Sequence, residues 1–121
     1  MLLATINKSK RLLVLSFIGE VQVEELVEAR EEVVMLLADL GRGFRVLADL
    51  GRLDSISISC APEIGKVMEL CEQKGVELVV RLIPDQKKDI GLGILSHFHY
   101  RRQPRVVNCT TIVEAVKQLS F

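Results

Sequence analysis

The stretch FRVLADLGRLDSISISCAPEIG, residues 44 to 65, decides the fold of this chain. Its first 7 residues are a nearly continuous apolar run, which is typical of a strand covered on both faces and therefore central in a parallel sheet. Residues 51 to 59 are rich in Asp, Gly and Ser, so they predict a loop. Pro62 is accepted in the first turn of a helix, which we expect to follow the loop. Open α/β folds usually place function at such a passage from strand to helix.

Strand-like and helix-like segments alternate on both sides of this stretch. Apolar runs predict strands at residues 2–6, 11–18, 44–50, 76–83 and 105–109. Helical spacing of apolar residues predicts helices at residues 21–40, 62–75, 89–99 and 111–119. The first two strands flank a polar turn and predict an N-terminal β-hairpin. The order ββαβαβαβα predicts an α/β fold in which a mixed, mostly parallel β-sheet carries about four helices in a single domain, residues 1–121.

The overall composition restricts the classes of function. Hydrophobic residues make up 49% of the 121 residues, which is enough for an aliphatic core. The 16 basic and 16 acidic side chains give a formal net charge of +0, so we expect no nucleic-acid partner and no attraction to an anionic membrane. The 3 cysteines form no CxxC motif, which argues against a disulfide framework and fits a reducing cytoplasm. No signal peptide and no run of about 18 apolar residues is recognisable, so a cytoplasmic location is expected.

Four segments of the sequence resemble a known protein family. The first is an early strand that ends in Gly19. The later segments are residues 46–56 (VLADLGRLDSI), 76–81 (VELVVR) and 106–116 (VVNCTTIVEAV). In order and spacing they resemble the STAS domain, the fold of bacterial anti-sigma-factor antagonists and of the cytoplasmic tails of sulfate transporters. The resemblance implies a STAS-like fold and a non-catalytic regulatory module that binds a protein partner. It also implies that this partner is an anti-sigma factor with serine kinase activity, or another STAS-like protein.

The phosphorylation motif of that family is altered in this chain. Phosphorylated members carry Asp-Ser-Ser/Thr-Gly after the central strand, and a serine or threonine of the motif is the kinase target. The motif falls on residues 57–60, which read Ser-Ile-Ser-Cys, and Ile58 at the acceptor position has no hydroxyl. The phosphorylation switch is therefore not carried over residue by residue, and Ser57 and Ser59 are left as candidates for modification.

The predicted partner-binding residues lie in and beside the altered motif. They are Asp54, Ser55, Ser57, Ile58, Ser59 and Cys60. A plainer interpretation has the serines facing solvent and capping the next helix. Cys60 lies near a helix N-terminus, which lowers the pKa of a thiol, but neither a base nor an oxyanion donor can be placed beside it. We therefore predict no catalytic residue and no enzyme.

The sequence predicts no metal site and no cofactor. His97 and His99 are close in the chain, but residues two apart do not share a face of a helix. Five basic residues are either solvated loop ends or one basic edge for an acidic partner: Lys87, Lys88, Arg101, Arg102 and Arg105.

Two alternatives remain open. The STAS fold also resembles lipid- and nucleotide-binding relatives, and an aliphatic chain with Gly91 and Gly93 could open a pocket. The alternative function is therefore a small-molecule or lipid carrier on this kind of fold. A homodimer through exposed strand edges or through the wide first helix is also compatible with the pattern.

Overall fold

Five strands form one sheet in a computed structural model that describes residues 1–83 and 105–119. The strands are β1 (Leu2–Asn7), β2 (Leu12–Val21), β3 (Arg45–Ile56), β4 (Leu78–Leu82) and β5 (Arg105–Cys109). The helices are α1 (Val23–Ala38), α2 (Ala61–Gln73) and α3 (Ile112–Leu119), and a 3-10 turn (Ile58–Cys60) leads into α2. The helix predicted at residues 89–99 lies outside the described residues.

The sheet has the predicted mixed topology. The strands follow one another in the order β1-β2-β3-β4-β5, so β3 is in the middle. The pair β1 and β2 is an antiparallel hairpin, and β2, β3, β4 and β5 pair in parallel. The predicted N-terminal hairpin, the mostly parallel sheet and the central position of β3 are therefore confirmed.

Helices cover both faces of the sheet. On one face, α1 and α2 pack on the larger core, which contains Leu13, Val46 and Val79 from the sheet and Val33 and Val67 from the helices. On the other face, α3 contributes Ala115 and Leu119 to a smaller core with residues of β2, β3, β4 and β5. All 5 positions of β4 are buried, as expected for a strand with neighbours on both sides and helices on both faces.

The start of α1 is fixed by its own side chains. The backbone N–H of Gln22 donates to the Glu25 carboxylate at 2.8 Å, so one backbone donor at the end of the helix is satisfied. Glu24 and Glu25 lie in the first turn, where the helix dipole favours negative charge. The buried side of α1 consists of Leu26, Ala29, Val33 and Leu37, which recur at helical spacing.

The prediction of a loop at residues 51–59 is wrong for residues 51–56. β3 continues to Ile56, and Leu53 and Ile56 pair with Gly19 and Val21 of β2. Leu53 and Ile56 also pack against the larger core, whereas Arg52 and Asp54 are exposed. The polar residues are therefore the solvent-facing positions of a strand, and its register shifts twice between Ser16 and Glu20 of the partner strand.

Candidate functional site

The six predicted partner-binding residues form one continuous segment where β3 passes into α2. Asp54 and Ser55 belong to the end of β3, and residues 57–60 form the turn that enters the helix. Five of the six side chains are exposed, and Cys60 is buried. The segment lies at the edge of the sheet formed by the carboxyl ends of the parallel strands, because Ser55 is paired with Glu20 at the end of β2.

Ser57 caps the turn that precedes α2. Its hydroxyl oxygen accepts a hydrogen bond from the backbone N–H of Ser59 at 3.2 Å, and its carbonyl accepts one from the N–H of Cys60 at 2.9 Å. The Ser57 and Ser59 hydroxyl oxygens are 2.8 Å apart. The plainer interpretation of the sequence has the serines capping the next helix; Ser57 instead caps the 3-10 turn before α2, and Cys60, the N-cap residue of α2, makes no side-chain cap hydrogen bond. Both hydroxyls remain on the surface, next to the N-terminal end of a helix.

Ile58 projects into solvent from the middle of this capped turn. Its exposed fraction is 84%, which exceeds that of Met35 on α1 (73%) and of every other large apolar residue of the described chain. One exposed apolar side chain is common on protein surfaces and does not identify a site by itself. Ile58 differs from a residue in a loose loop because hydrogen bonds hold the backbone on both sides of it.

Cys60 anchors the turn from inside the protein. The side chain is fully buried in the larger core, and its Sγ donates to the carbonyl oxygen of Val21 at 3.7 Å. Burial is the main cause that raises the pKa of the Cys60 thiol. The negative charges of Glu24 and Glu25 raise this pKa further, whereas a hydrogen bond with the backbone of Ser57 lowers it. The prediction that the helix N-terminus would lower this pKa is therefore wrong. Desolvation outweighs the local effect of the helix end.

Carboxylates border the segment on the side of β2 and α1. Glu20 is the register partner of Ser55, and Asp54 lies beside Gly19, with a carboxylate oxygen 4.0 Å from the position that a Cβ would take there. Glu24 and Glu25 are close enough to Cys60 for their charges to affect its thiol. An apolar side chain with polar and acidic neighbours suits a partner surface that offers an apolar pocket.

A small apolar cavity lies between the sheet and the two helices α1 and α2. Its volume is about 60 Å³, and its walls include Phe17, Leu26 and Met68 together with the buried Arg81 of β4. For comparison, an engineered apolar cavity of about 150 Å³ binds a benzene molecule. The cavity is thus smaller than any lipid chain, and a carrier function would require α1 and α2 to move apart.

Metal and membrane sites were sought among the described residues. In residues 1–83 and 105–119, no group of three or more His, Cys, Asp or Glu side chains is arranged to hold a metal ion. Within the same ranges, no helix combines the length and the apolar character that crossing a bilayer requires. His97, His99, Gly91 and Gly93 lie outside the described residues.

Comparisons with known proteins identify the fold. No protein-family model and no curated protein matches the sequence. A DUF3478-family protein of Shewanella loihica with a SpoIIAA-like fold aligns over 98% of this chain and 92% of its own, with a TM-score of 0.72 and 14% identity. The unphosphorylated anti-sigma factor antagonist SpoIIAA aligns over 98% of this chain and 97% of its own, with a TM-score of 0.64 and 15% identity. An anti-sigma factor antagonist of Mycobacterium paratuberculosis aligns over 100% and 94%, with a TM-score of 0.59 and 16% identity.

These similarities extend over almost the whole length of each chain. They confirm that this protein has the STAS-like fold of the anti-sigma-factor antagonists. Identities of 14–16% show the fold alone. What this chain binds has to be argued from its own surface.

Proposed function

We propose that this protein is a non-catalytic regulatory module that docks a protein partner through the Ile58 surface, defined as Asp54, Ser55, Ser57, Ile58 and Ser59. Cys60 supports this surface from the core. The observation that carries the proposal is the 84% exposure of Ile58 on a turn held by hydrogen bonds. Two solved proteins with this fold are anti-sigma factor antagonists. The proposed partner is accordingly an anti-sigma factor with serine kinase activity or another STAS-like protein, in the cytoplasm.

The energetics of docking favour Ile58 as the central contact. Burial of one Ile side chain contributes about 1.5–3 kcal/mol. A few central apolar contacts dominate the binding energy of most interfaces, while the polar rim mainly excludes water. The Ile58 surface has this composition, with hydroxyls and a carboxylate around one apolar side chain. Because the turn is already held in place, little conformational entropy is lost on binding.

A comparison of matched variants in affinity purification tests the proposal. Ile58→Asp should abolish retention of the partner that the wild type retains, because a carboxylate in an apolar pocket is left desolvated and unpaired. Met35→Asp is the control, since it introduces the same charge at an exposed apolar residue on the outer side of α1. For the purified complex, Ile58→Ala should raise the Kd by about 10- to 150-fold. Equal retention of a partner by both Asp variants would refute the proposal.

Phosphorylation of Ser57 or Ser59 is the form of regulation that we propose for this surface. Both hydroxyls are exposed next to Ile58. A phosphate would add about −1.5 to −2 charges. The phosphate would lie near the carboxylates of Glu20 and Asp54 and increase the negative charge of the surface. A partner whose shape and charge fit the unmodified surface would then bind less tightly.

Two substitutions at Ser57 separate charge from capping. Asn and Asp are both good N-cap residues, so Ser57→Asn and Ser57→Asp should each preserve the turn. If added negative charge disrupts docking, Ser57→Asp should weaken partner binding about tenfold in an isothermal titration, and Ser57→Asn should leave it within about twofold. Equal affinities for the two variants would exclude regulation through charge at this position.

The carrier function is a second candidate with one observation in its favour. The cavity under α1 and α2 has an almost entirely apolar lining, which suits the hydrocarbon part of a small ligand. Native mass spectrometry of freshly purified protein distinguishes the candidates. A co-purifying small molecule supports the carrier, and the mass of the bare chain counts against it.

A further inference from the structure

A second concave surface lies at the opposite edge of the sheet, where the parallel strands begin. This cleft has a volume of about 690 Å³, which is within the usual range for small-molecule sites. We call it the basic cleft and define it by Lys10, Arg11, Arg45 and Arg105; among the described residues of its lining, Glu77 is the one acidic side chain. It lies far from the Ile58 surface, because the two occupy the two ends of the parallel strands.

The register of the sheet brings two of these arginines together. Leu12, Arg45, Leu78 and Arg105 form one row across four strands. In parallel strands the side chains of one row project to the same face. Leu12 and Leu78 belong to the core under α3, so Arg45 and Arg105 project toward that side of the sheet. Two strand spacings separate them, which corresponds to about 10 Å between their Cα atoms.

The turn of the N-terminal hairpin adds two further cations. The carbonyl of Arg11 accepts a hydrogen bond from the N–H of Arg45 at 2.9 Å, and the carbonyl of Lys10 accepts one from the Arg45 side chain at 2.6 Å. These bonds join the turn to the start of β3. The Arg11 guanidinium donates to the carbonyl oxygens of Arg42 and Leu40. Carbonyl oxygens carry no net charge, so these bonds orient the Arg11 guanidinium without neutralising it.

The charge of the basic cleft contrasts with that of the chain as a whole. The chain has a net charge of +0, yet the described residues that line this cleft include four cations and one carboxylate. Within the described ranges, no carboxylate forms an ion pair with Arg11 or Arg105. Arg105 is exposed at the first position of β5.

We propose that the basic cleft binds a small oligophosphate, that is, a soluble anion with two or more linked phosphate groups. Guanidinium groups bind phosphate oxygens through paired hydrogen bonds, and several of them around one concavity favour a ligand with several phosphates. A single phosphate cannot engage arginines on both sides of Leu78 as fully as a longer anion can. The inference is independent of the Ile58 surface and of any protein partner.

Isothermal titration with tripolyphosphate at low ionic strength tests the inference. The wild type should bind tripolyphosphate at least tenfold more tightly than inorganic phosphate. Arg105→Gln should raise the Kd for tripolyphosphate about tenfold, the effect of one lost charge-assisted hydrogen bond. Arg52→Gln is the matched control, because Arg52 is an exposed arginine at the opposite end of the sheet. This control should bind as the wild type does.

Chemical-shift mapping locates the bound anion independently of affinity. Tripolyphosphate should shift the amide resonances of residues 9–11, 43–45, 77–78 and 105. Shifts confined to residues 57–61 would overturn the inference, because they would indicate the general attraction of a helix N-terminus for anions. The inference would also be overturned if tripolyphosphate did not bind at millimolar concentration. Equal losses of affinity for tripolyphosphate in Arg105→Gln and Arg52→Gln would overturn it as well.

Discussion

Ile58 and Cys60 are two residues apart and have opposite environments. A 3-10 turn rotates successive residues by about 120°, so it can direct one side chain into the core and another into solvent within a single turn. Cys60 fills the core below the turn, and this contact holds Ile58 outward. A contact residue oriented in this way before binding loses little freedom when a partner arrives.

The sequence predicts effects of neighbouring residues, such as the Ser57 cap, but it does not predict the raised pKa of the Cys60 thiol. A serine before a helix is a local signal, so the cap formed by Ser57 could be predicted from neighbouring residues. The effect of a helix end on a thiol is also local, and it pointed to a lowered pKa. Burial of Cys60 depends on Val21, 39 positions earlier in the chain, and the sequence does not reveal that contact.

Gly75 provides a test at the level of one backbone position. It follows α2 with φ of 89°, a left-handed conformation that suits glycine, and an added Cβ would lie 3.0 Å from the Cβ of Arg42. Gly75→Ala should therefore lower the free energy of unfolding by about 1–2 kcal/mol, as measured by urea denaturation. Gly65→Ala is the matched change within α2, where the backbone is helical. It should leave stability unchanged or raise it by up to about 1 kcal/mol.

Among the elements, β3 was the hardest to delimit from the sequence. Its first half is mostly apolar and predicts a strand, whereas its second half contains Asp, Ser, Gly and Arg, which are typical of loops. The second half is a strand because β2 runs for 10 residues and offers a pairing partner as far as Val21. Strand pairing at a distance thus overrides local propensity, and a sequence without a structure does not show how long the partner strand is.

The first turn of α1 gives a prediction about pH. The hydrogen bond from the backbone of Gln22 is the main reason why the pKa of Glu25 is below its usual value of 4.5. Because the pKa of Glu25 is lower in the folded than in the unfolded state, its carboxylate stabilises the fold fully at pH values above the unfolded-state pKa. This stabilisation is lost as the pH falls through the folded-state pKa. Glu25→Gln should therefore be less stable than the wild type by about 0.3–1 kcal/mol near pH 7. The difference should shrink below about pH 4.5.

Urea denaturation of both proteins between pH 3 and pH 7 measures this difference. Glu31→Gln removes one carboxylate from the middle of the same helix and controls for the general loss of negative charge. A difference between wild type and Glu25→Gln that stays constant across the whole pH range would contradict the assigned role of Glu25.

The whole molecule carries its two candidate surfaces at opposite ends of the parallel strands. The Ile58 surface could be predicted in part, because its residues lie within six positions of the chain and follow a recognisable strand. The basic cleft could not be predicted, because Arg45 and Arg105 are distant in the sequence and meet only through the register of three strands. The sequence suggests Arg105 as part of a basic edge with Lys87, Lys88, Arg101 and Arg102, and those four residues lie outside the described residues.

The three free cysteines report on the integrity of the whole fold. All are buried, and burial raises the pKa of each thiol, that of Cys71 to about 12. A thiol reagent at pH 8 should therefore react slowly with the native protein and modify three thiols rapidly in denaturant. Ser59→Cys adds an exposed thiol that should react at once in the folded state. Rapid reaction of an unmodified native chain would show that the core opens more readily than its packing indicates.

Along β3, the pairing partners differ between the first and the second half of the strand. β4 pairs with β3 only as far as Asp49, and the residues from Arg52 to Ile56 pair with β2. Among residues 1–83 and 105–119, the end of β3 that leads to the Ile58 surface pairs with β2, and Arg52, Asp54 and Ser55 are exposed there. If the Ile58 surface docks a partner as proposed, substitutions of its exposed side chains should change partner binding at little expense in stability.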